Sequence, residues 1–167
     1  MFSYSQVRPP TDDYHVSSPI AIQKAIGYFN TAIWRGRFYR LWLSLQRQPT
    51  TLFDLTTITN QCKMINCHGL GIKSISIHEV KGSEGRCFDF DTAFFPIRSH
   101  VKDRWVWIAA LFLMGSSLPA IETIKIRDFY FVRDGHHRIS VSRRLGIEFI
   151  DANITAWDVS GALPWEN

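Results

Sequence analysis

The ten residues Phe129-Tyr130-Phe131-Val132-Arg133-Asp134-Gly135-His136-His137-Arg138 constrain the fold of this chain more than any other stretch. An aromatic, β-branched run enters Asp134-Gly135. Ile139, Val141 and Leu145 then follow in a helical pattern, up to Gly146, where a helix would stop. The pattern predicts strand, tight turn and helix with no loop between them. Such a junction leaves the first N–H groups of the helix unpaired at the positive end of its dipole, where an anion is favoured. His136, His137 and Arg138 stand in that opening turn. Gly135 permits close backbone approach, and Arg138 offers a planar fork to a phosphate or carboxylate. The plainer reading is an Asp-Gly turn followed by solvated capping histidines. Spacing alone leaves both open.

With 167 residues, 46% of them hydrophobic and 14% aromatic, the chain can build one packed core and is too apolar for disorder. Lysine and arginine number 19 against 15 acids, a surplus compatible with nucleotide or nucleic-acid partners that does not demand them. Cys62, Cys67 and Cys87 are an odd number with no signal-peptide pattern ahead of them, which reads as a cytoplasmic chain. The unit Cys62-x4-Cys67-His68 lacks a matching second pair and is loosely spaced for structural zinc, so the thiols read as buried or incidental. The apolar run 106–114 falls far short of the about 20 residues that cross a bilayer, and no transmembrane segment is expected.

Along the chain, residues 1–19 carry Pro9-Pro10 and Asp12-Asp13 without apolar period and read as an extended arm. Residues 20–46 turn helical, with Ile22, Ile26, Phe29 and Ile33 at helical spacing, then Trp34, Phe38, Leu41 and Leu45. Arg35, Arg37, Arg40 and Arg47 interleave with Trp34, Phe38, Tyr39 and Trp42. The expected arrangement packs these aromatics on the core and leaves the arginines solvated; the alternative is a face for nucleic acid or an anionic membrane surface. Residues 51–68 hold a short helix near 52–58 and a connector. Residue 69 is the expected boundary between an N-terminal arm with helical extension (1–69) and a core domain (70–167). Alternation over 72–80 predicts a half-buried strand, followed by a glycine-bearing loop at 81–86. Val101, Trp105, Ile108 and Phe112 mark a buried helix, 120–126 a strand, and Arg127-Asp128 a hairpin turn. Ile150, Ala152, Ile154 and Ala156 share a face of a last strand, and 158–167 reads as a tail.

The run 130–138, followed by Ser140-Val141 and Leu145-Gly146, resembles the signature of the ParB/sulfiredoxin superfamily, in an Asp-Gly-His-His-Arg variant. Residues 118–124 resemble that family's proline-then-strand segment and 147–154 the strand after its motif helix, so the likeness covers about residues 70–157. It implies an α+β fold: a small mixed sheet with packed helices, preceded here by the N-terminal helical extension. It also implies nucleotide phosphates held at Gly135, His137 and Arg138, with Asp134, His136 and Arg86 beside them. ATP or CTP would be the nucleotide, and Mg²⁺ would bridge its phosphates to Asp134 or Glu84. The loop after the family's first strand lies near the nucleotide, which makes Glu84, Arg86, Asp89 and Asp91 second-rank candidates; the plain alternative is a polar loop with Asp89 and Asp91 as acids at a helix start. Enzymatic alternatives are a metal-dependent nuclease using Asp134, His136 and His137, or a small-molecule kinase with Glu84 as base. Sulfiredoxins carry a catalytic cysteine directly before the His-Arg pair. Here that position is His136, so sulfinic-acid repair is not expected. The helix-turn-helix that follows this fold in full ParB proteins is also not expected, which leaves any DNA contact to the basic N-terminal helix. A structural or interaction module with a vestigial site is the third reading.

Overall fold

The computed structural model describes Val16, residues 18–163 and Trp165. All but Val16, Ser18 and Pro19 of the arm expected over 1–19 lies outside the described residues. Ser18 opens the first helix: its Oγ accepts the Ala21 N–H at 3.3 Å, and Pro19 takes the first helical position, where no N–H is needed. This helix, α1 (Pro19–Leu45), buries Ala21, Ala25, Phe29, Ala32, Gly36 and Leu43. The seam is mostly alanine and glycine, which lets neighbouring elements come close. A Cβ on Gly36 would sit 2.7 Å from the Phe95 Cβ, so only glycine admits residues 91–95 against the helix. This corrects the expected orientation of the aromatics. Trp34, Phe38, Leu41, Trp42 and Leu45 are exposed, because the small-residue side is the one that can be packed tightly.

Among the described residues six strands form one mixed sheet in the order β1-β3-β5-β4-β6-β2. They are β1 (Phe53–Asp54), β2 (Lys63–Ser76), β3 (Val80–Ser83), β4 (Ile121–Ile126), β5 (Phe129–Asp134) and β6 (Phe149–Ser160). The pairs β1/β3, β3/β5 and β4/β6 are parallel; β4/β5 and β2/β6 are antiparallel. The remaining helices are α2 (Leu55–Gln61), α3 (Lys102–Leu113) and α4 (His136–Arg144). Alternation along β5 sends Tyr130 and Val132 into one core with α1, α3 and α4, while Phe131 joins Leu55, Ile58, Ile124, Ile126 and Leu163 on the other side. Phe29 and Trp105 meet edge-on at 5.5 Å between α1 and α3. The α+β class with an N-terminal helix is therefore the observed one.

Three local expectations differ. The strand expected at 72–80 begins at Lys63, breaks at the 3₁₀ turn Ile77–Glu79 and resumes as β3. Residue 69 lies within β2, and α1 shares its core with α3 and α4. The last strand runs to Ser160, and Leu163 beyond it is buried, so the tail takes part in the second core.

Candidate functional site

Parallel pairing sets Ser83 of β3 in register with Val132 of β5, so both strands end beside the first turn of α4. Ligand sites in open α/β sheets favour this position, at the carboxyl ends of parallel strands facing a helix N-terminus. The turn itself depends on Gly135. Its φ of +106° suits no L side chain, and a Cβ there would meet Ile121 Cγ2 at 2.3 Å. Among the described residues no side chain caps α4. In front of the turn is a cavity of about 50 Å³ lined by Arg86, Arg104, Arg133, Asp134 and residues 135–138. The lining thus holds four arginines and one carboxylate.

Within that group the structure separates two kinds of arginine. Arg138 is buried. Its Nη1 donates to the carbonyl oxygens of Pro119 and Ala120, the latter at 2.9 Å, and its Nη2 to Asp134 Oδ2 at 2.6 Å. The expected phosphate fork is therefore spent largely on tying α4 to the approach to β4. Arg133 Nε donates to Glu84 Oε2 at 2.7 Å, with both side chains half-exposed. Arg86 is also well exposed and lies 3.8 Å from Asp89. Arg104, from the first turn of α3, has no ion pair among the described residues.

Both histidines are buried, contrary to the solvated-cap reading. His136 Nε2 lies 2.7 Å from Ser83 Oγ, which also accepts the Arg86 N–H at 3.1 Å. Burial, then the charge of Arg86, pushes the His136 pKa down to about 4. The His137 Nε2 accepts from Arg86 Nη1 at 3.4 Å, and burial followed by Arg104 and Arg86 pushes its pKa down to about 3. Phe90 packs against both, stacked on His136 and edge-on to His137. At neutral pH both rings are therefore neutral hydrogen-bonding groups. His137 Nδ1 is buried with no hydrogen-bond partner among the described residues.

The carboxylates are disposed differently from one another. Asp134 is held by Arg138 and Glu84 by Arg133. Among the described residues no group of three His, Cys, Asp or Glu side chains could hold a metal ion, so a cation here would rely on ligand oxygens as well. No helix begins at Asp89 or Asp91. Asp91 is fully buried and accepts the N–H groups of Ala93 (3.0 Å) and Phe95 (2.9 Å) and Arg40 Nη1 (3.2 Å). Burial nonetheless raises its pKa to about 6. It shapes residues 91–95 and pins them to α1. Asp89, 3.8 Å from Arg86 Nη1, lies 3.3 Å from His100 Nε2. Beyond His100 a cleft of about 770 Å³ opens between α1 and residues 97–102, lined by Trp34, Arg37, Arg98, His100 and Lys102 among others.

Sequence reasoning missed Ser83, Arg104 and the site role of Arg133. Ser83 and Arg133 adjoin residues already singled out. Arg104 had no local signal: it arrives because Trp105 docks α3 on α4, its indole N–H donating to Ser140 Oγ at 2.8 Å.

No family model and no curated protein matches this chain. Among solved structures, the crystal structure of sulfiredoxin from Arabidopsis thaliana is similar at 19% identity and a TM-score of 0.35, covering 52% of this chain and 86% of that one.

Proposed function

We propose that the turn at Gly135 binds a phosphate-class oxyanion carried by a nucleotide. The observation behind this reading is the uncapped N-terminus of α4 opening on a cavity lined by Arg86, Arg104 and Arg133. Backbone N–H groups of α4 would contact the anion, the three arginines would neutralise it, and Arg138 would hold the turn in shape. The likeness of residues 130–138 to the ParB/sulfiredoxin signature supports ATP or CTP as the carrier. A cavity of about 50 Å³ suits one oxyanion group, so the rest of a nucleotide would run outside it. The cationic cleft lined by Arg37, Arg98, His100 and Lys102, next to the Asp89–His100 pair, would receive it. Mg²⁺, if used, would join the phosphates to Glu84 or Asp134, at the expense of an existing arginine pair.

Calorimetric titration with inorganic phosphate, ADP, ATP and CTP, with and without Mg²⁺, tests the proposal. Arg86→Ala and Arg104→Ala should each weaken binding by about 1.5–3 kcal/mol, the range for a hydrogen bond to a charged group, with thermal unfolding little changed in Arg104→Ala. A folded protein that binds none of the four, or variants that bind as well as the parent, would refute it. Phosphoryl chemistry is a separate step. Nucleoside diphosphate released only with an added alcohol acceptor would make the protein a kinase, and Mg²⁺-dependent plasmid nicking a nuclease.

A further inference from the structure

We propose that the outward face of α1 lies on an anionic lipid surface. Trp34, Phe38, Leu41, Trp42 and Leu45 recur at helical spacing on the side opposite the buried seam of Ala25, Phe29, Ala32, Gly36 and Leu43. Each of the five is between 53% and 78% exposed. Single surface hydrophobics are ordinary, but a contiguous stripe with two tryptophans marks a docking surface. Charge identifies the occupant. The 27 residues of α1 include no Asp or Glu. Arg35 and Arg37 border the stripe on its two sides and Arg47 follows the helix. None of the three has an acidic partner among the described residues. The Arg37 guanidinium lies 5.0 Å over the Trp34 ring, at the stripe's edge.

A second copy laid face to face would set arginines against arginines, with no carboxylate on either helix to answer them. A nucleic-acid strand would answer the arginines and stack on the tryptophans, yet give Leu41 and Leu45 nothing apolar to enter. An anionic bilayer satisfies both: the leucines and aromatic rings enter the acyl boundary while the arginines meet headgroups. No helix among the described residues is long and apolar enough to cross a membrane, and the one-sided stripe orients α1 along the surface.

The test uses the full chain with vesicles of phosphatidylcholine containing about 30% phosphatidylserine, against phosphatidylcholine alone. The protein should sediment with the anionic vesicles, weakening with salt, and its tryptophan emission should shift to the blue. The double variant Leu41→Glu/Leu45→Glu should partition about tenfold less or worse. Arg35→Glu/Arg37→Glu should lose the preference for anionic vesicles, and both variants should keep the parent's circular dichroism. Absent vesicle binding by the parent, or unchanged binding by Leu41→Glu/Leu45→Glu, overturns the proposal. So does a solution dimer that the leucine variant dissolves, which assigns the face to a second copy. Single-stranded DNA binding lost in Arg35→Glu/Arg37→Glu, without vesicle binding, assigns it to nucleic acid and overturns it likewise.

Discussion

Replacing Arg138 with alanine removes the donor that serves two backbone carbonyls and one carboxylate at once. Hydrogen bonds from a charged donor are each worth about 1.5–3 kcal/mol, and an acceptor left without its donor also loses solvation if water cannot reach it. The segment around Pro119 and Ala120 is not fully enclosed, so water can recover part of that loss. The Asp134 carboxylate is more than half exposed, and its pair with Arg138 contributes under about 1 kcal/mol. The net expectation is a loss of about 2–4 kcal/mol of folding stability, most of it from the two carbonyls. Urea unfolding followed by circular dichroism measures it, with Arg104→Ala as the contrast, because Arg104 is exposed, has no ion pair among the described residues and should change stability little. Arg138→Ala would bind anion poorly only as far as its turn is disordered, and saturating ligand should recover part of the stability. A variant with an unchanged unfolding midpoint but abolished anion binding would refute the reasoning and return Arg138 to the ligand's first contacts.

Gly135→Ala should destabilise by about 2–4 kcal/mol, combining left-handed strain with the clash on Ile121, whereas Gly146→Ala, at φ +75° with open space around it, should cost about 1 kcal/mol. Equal losses in thermal unfolding would contradict the close packing at Gly135. Stability should also fall on acidification. His136 and His137 titrate at about 4 and about 3 when folded against 6.5 when free, so their contribution is present above pH 6.5 and is lost as pH falls toward 4. Asp91 opposes them: raised to about 6 from 3.8, it favours the folded state below pH 3.8, an effect lost as pH rises through 6. Two histidines against one carboxylate leave a net loss on the order of 2 kcal/mol between pH 7 and 5, read from urea midpoints, with His137→Gln flattening the slope.

The strand–turn–helix at the site was legible because its signals are local: a β-rich run, a glycine at the turn, and apolar spacing starting at Ile139. The orientation of α1 was not. Its sequence offers two apolar sides, and the choice between them depends on how closely residues 91–95 approach Gly36, a contact between distant parts of the chain. The strand at 63–76 was half missed for a different reason. It is an edge strand with register shifts near residues 65 and 70, so alternation holds only over its last turns of pleat. Asp91 looked like a loop acid because nothing in its neighbours reveals that three N–H donors converge on it. Arg104 reaches the site through helix packing, which no short motif encodes.

Neutral histidines among four arginines have a consequence for binding. Burial and the arginine charges together suppress protonation of His136 and His137, and an anion seated at Gly135 would reverse the electrostatic part of that suppression. With an effective dielectric of about 20, a unit negative charge about 5 Å from a ring stabilises the imidazolium by roughly 3 kcal/mol, or about two pK units. The same charge moves His136 upward from about 4 toward the ordinary imidazole range in the complex. Binding of an oxyanion that does not itself titrate there, such as sulfate, should then draw in protons near pH 6, and its affinity should rise as pH falls from 7 toward 5.5. Titrations of sulfate, an oxyanion that does not itself titrate near pH 6, in two buffers of different ionisation enthalpy measure the uptake, and His136→Gln should remove most of it. Identical enthalpies in the two buffers, with binding intact, would mean that the anion sits away from the histidines and that the seat is not the turn at Gly135.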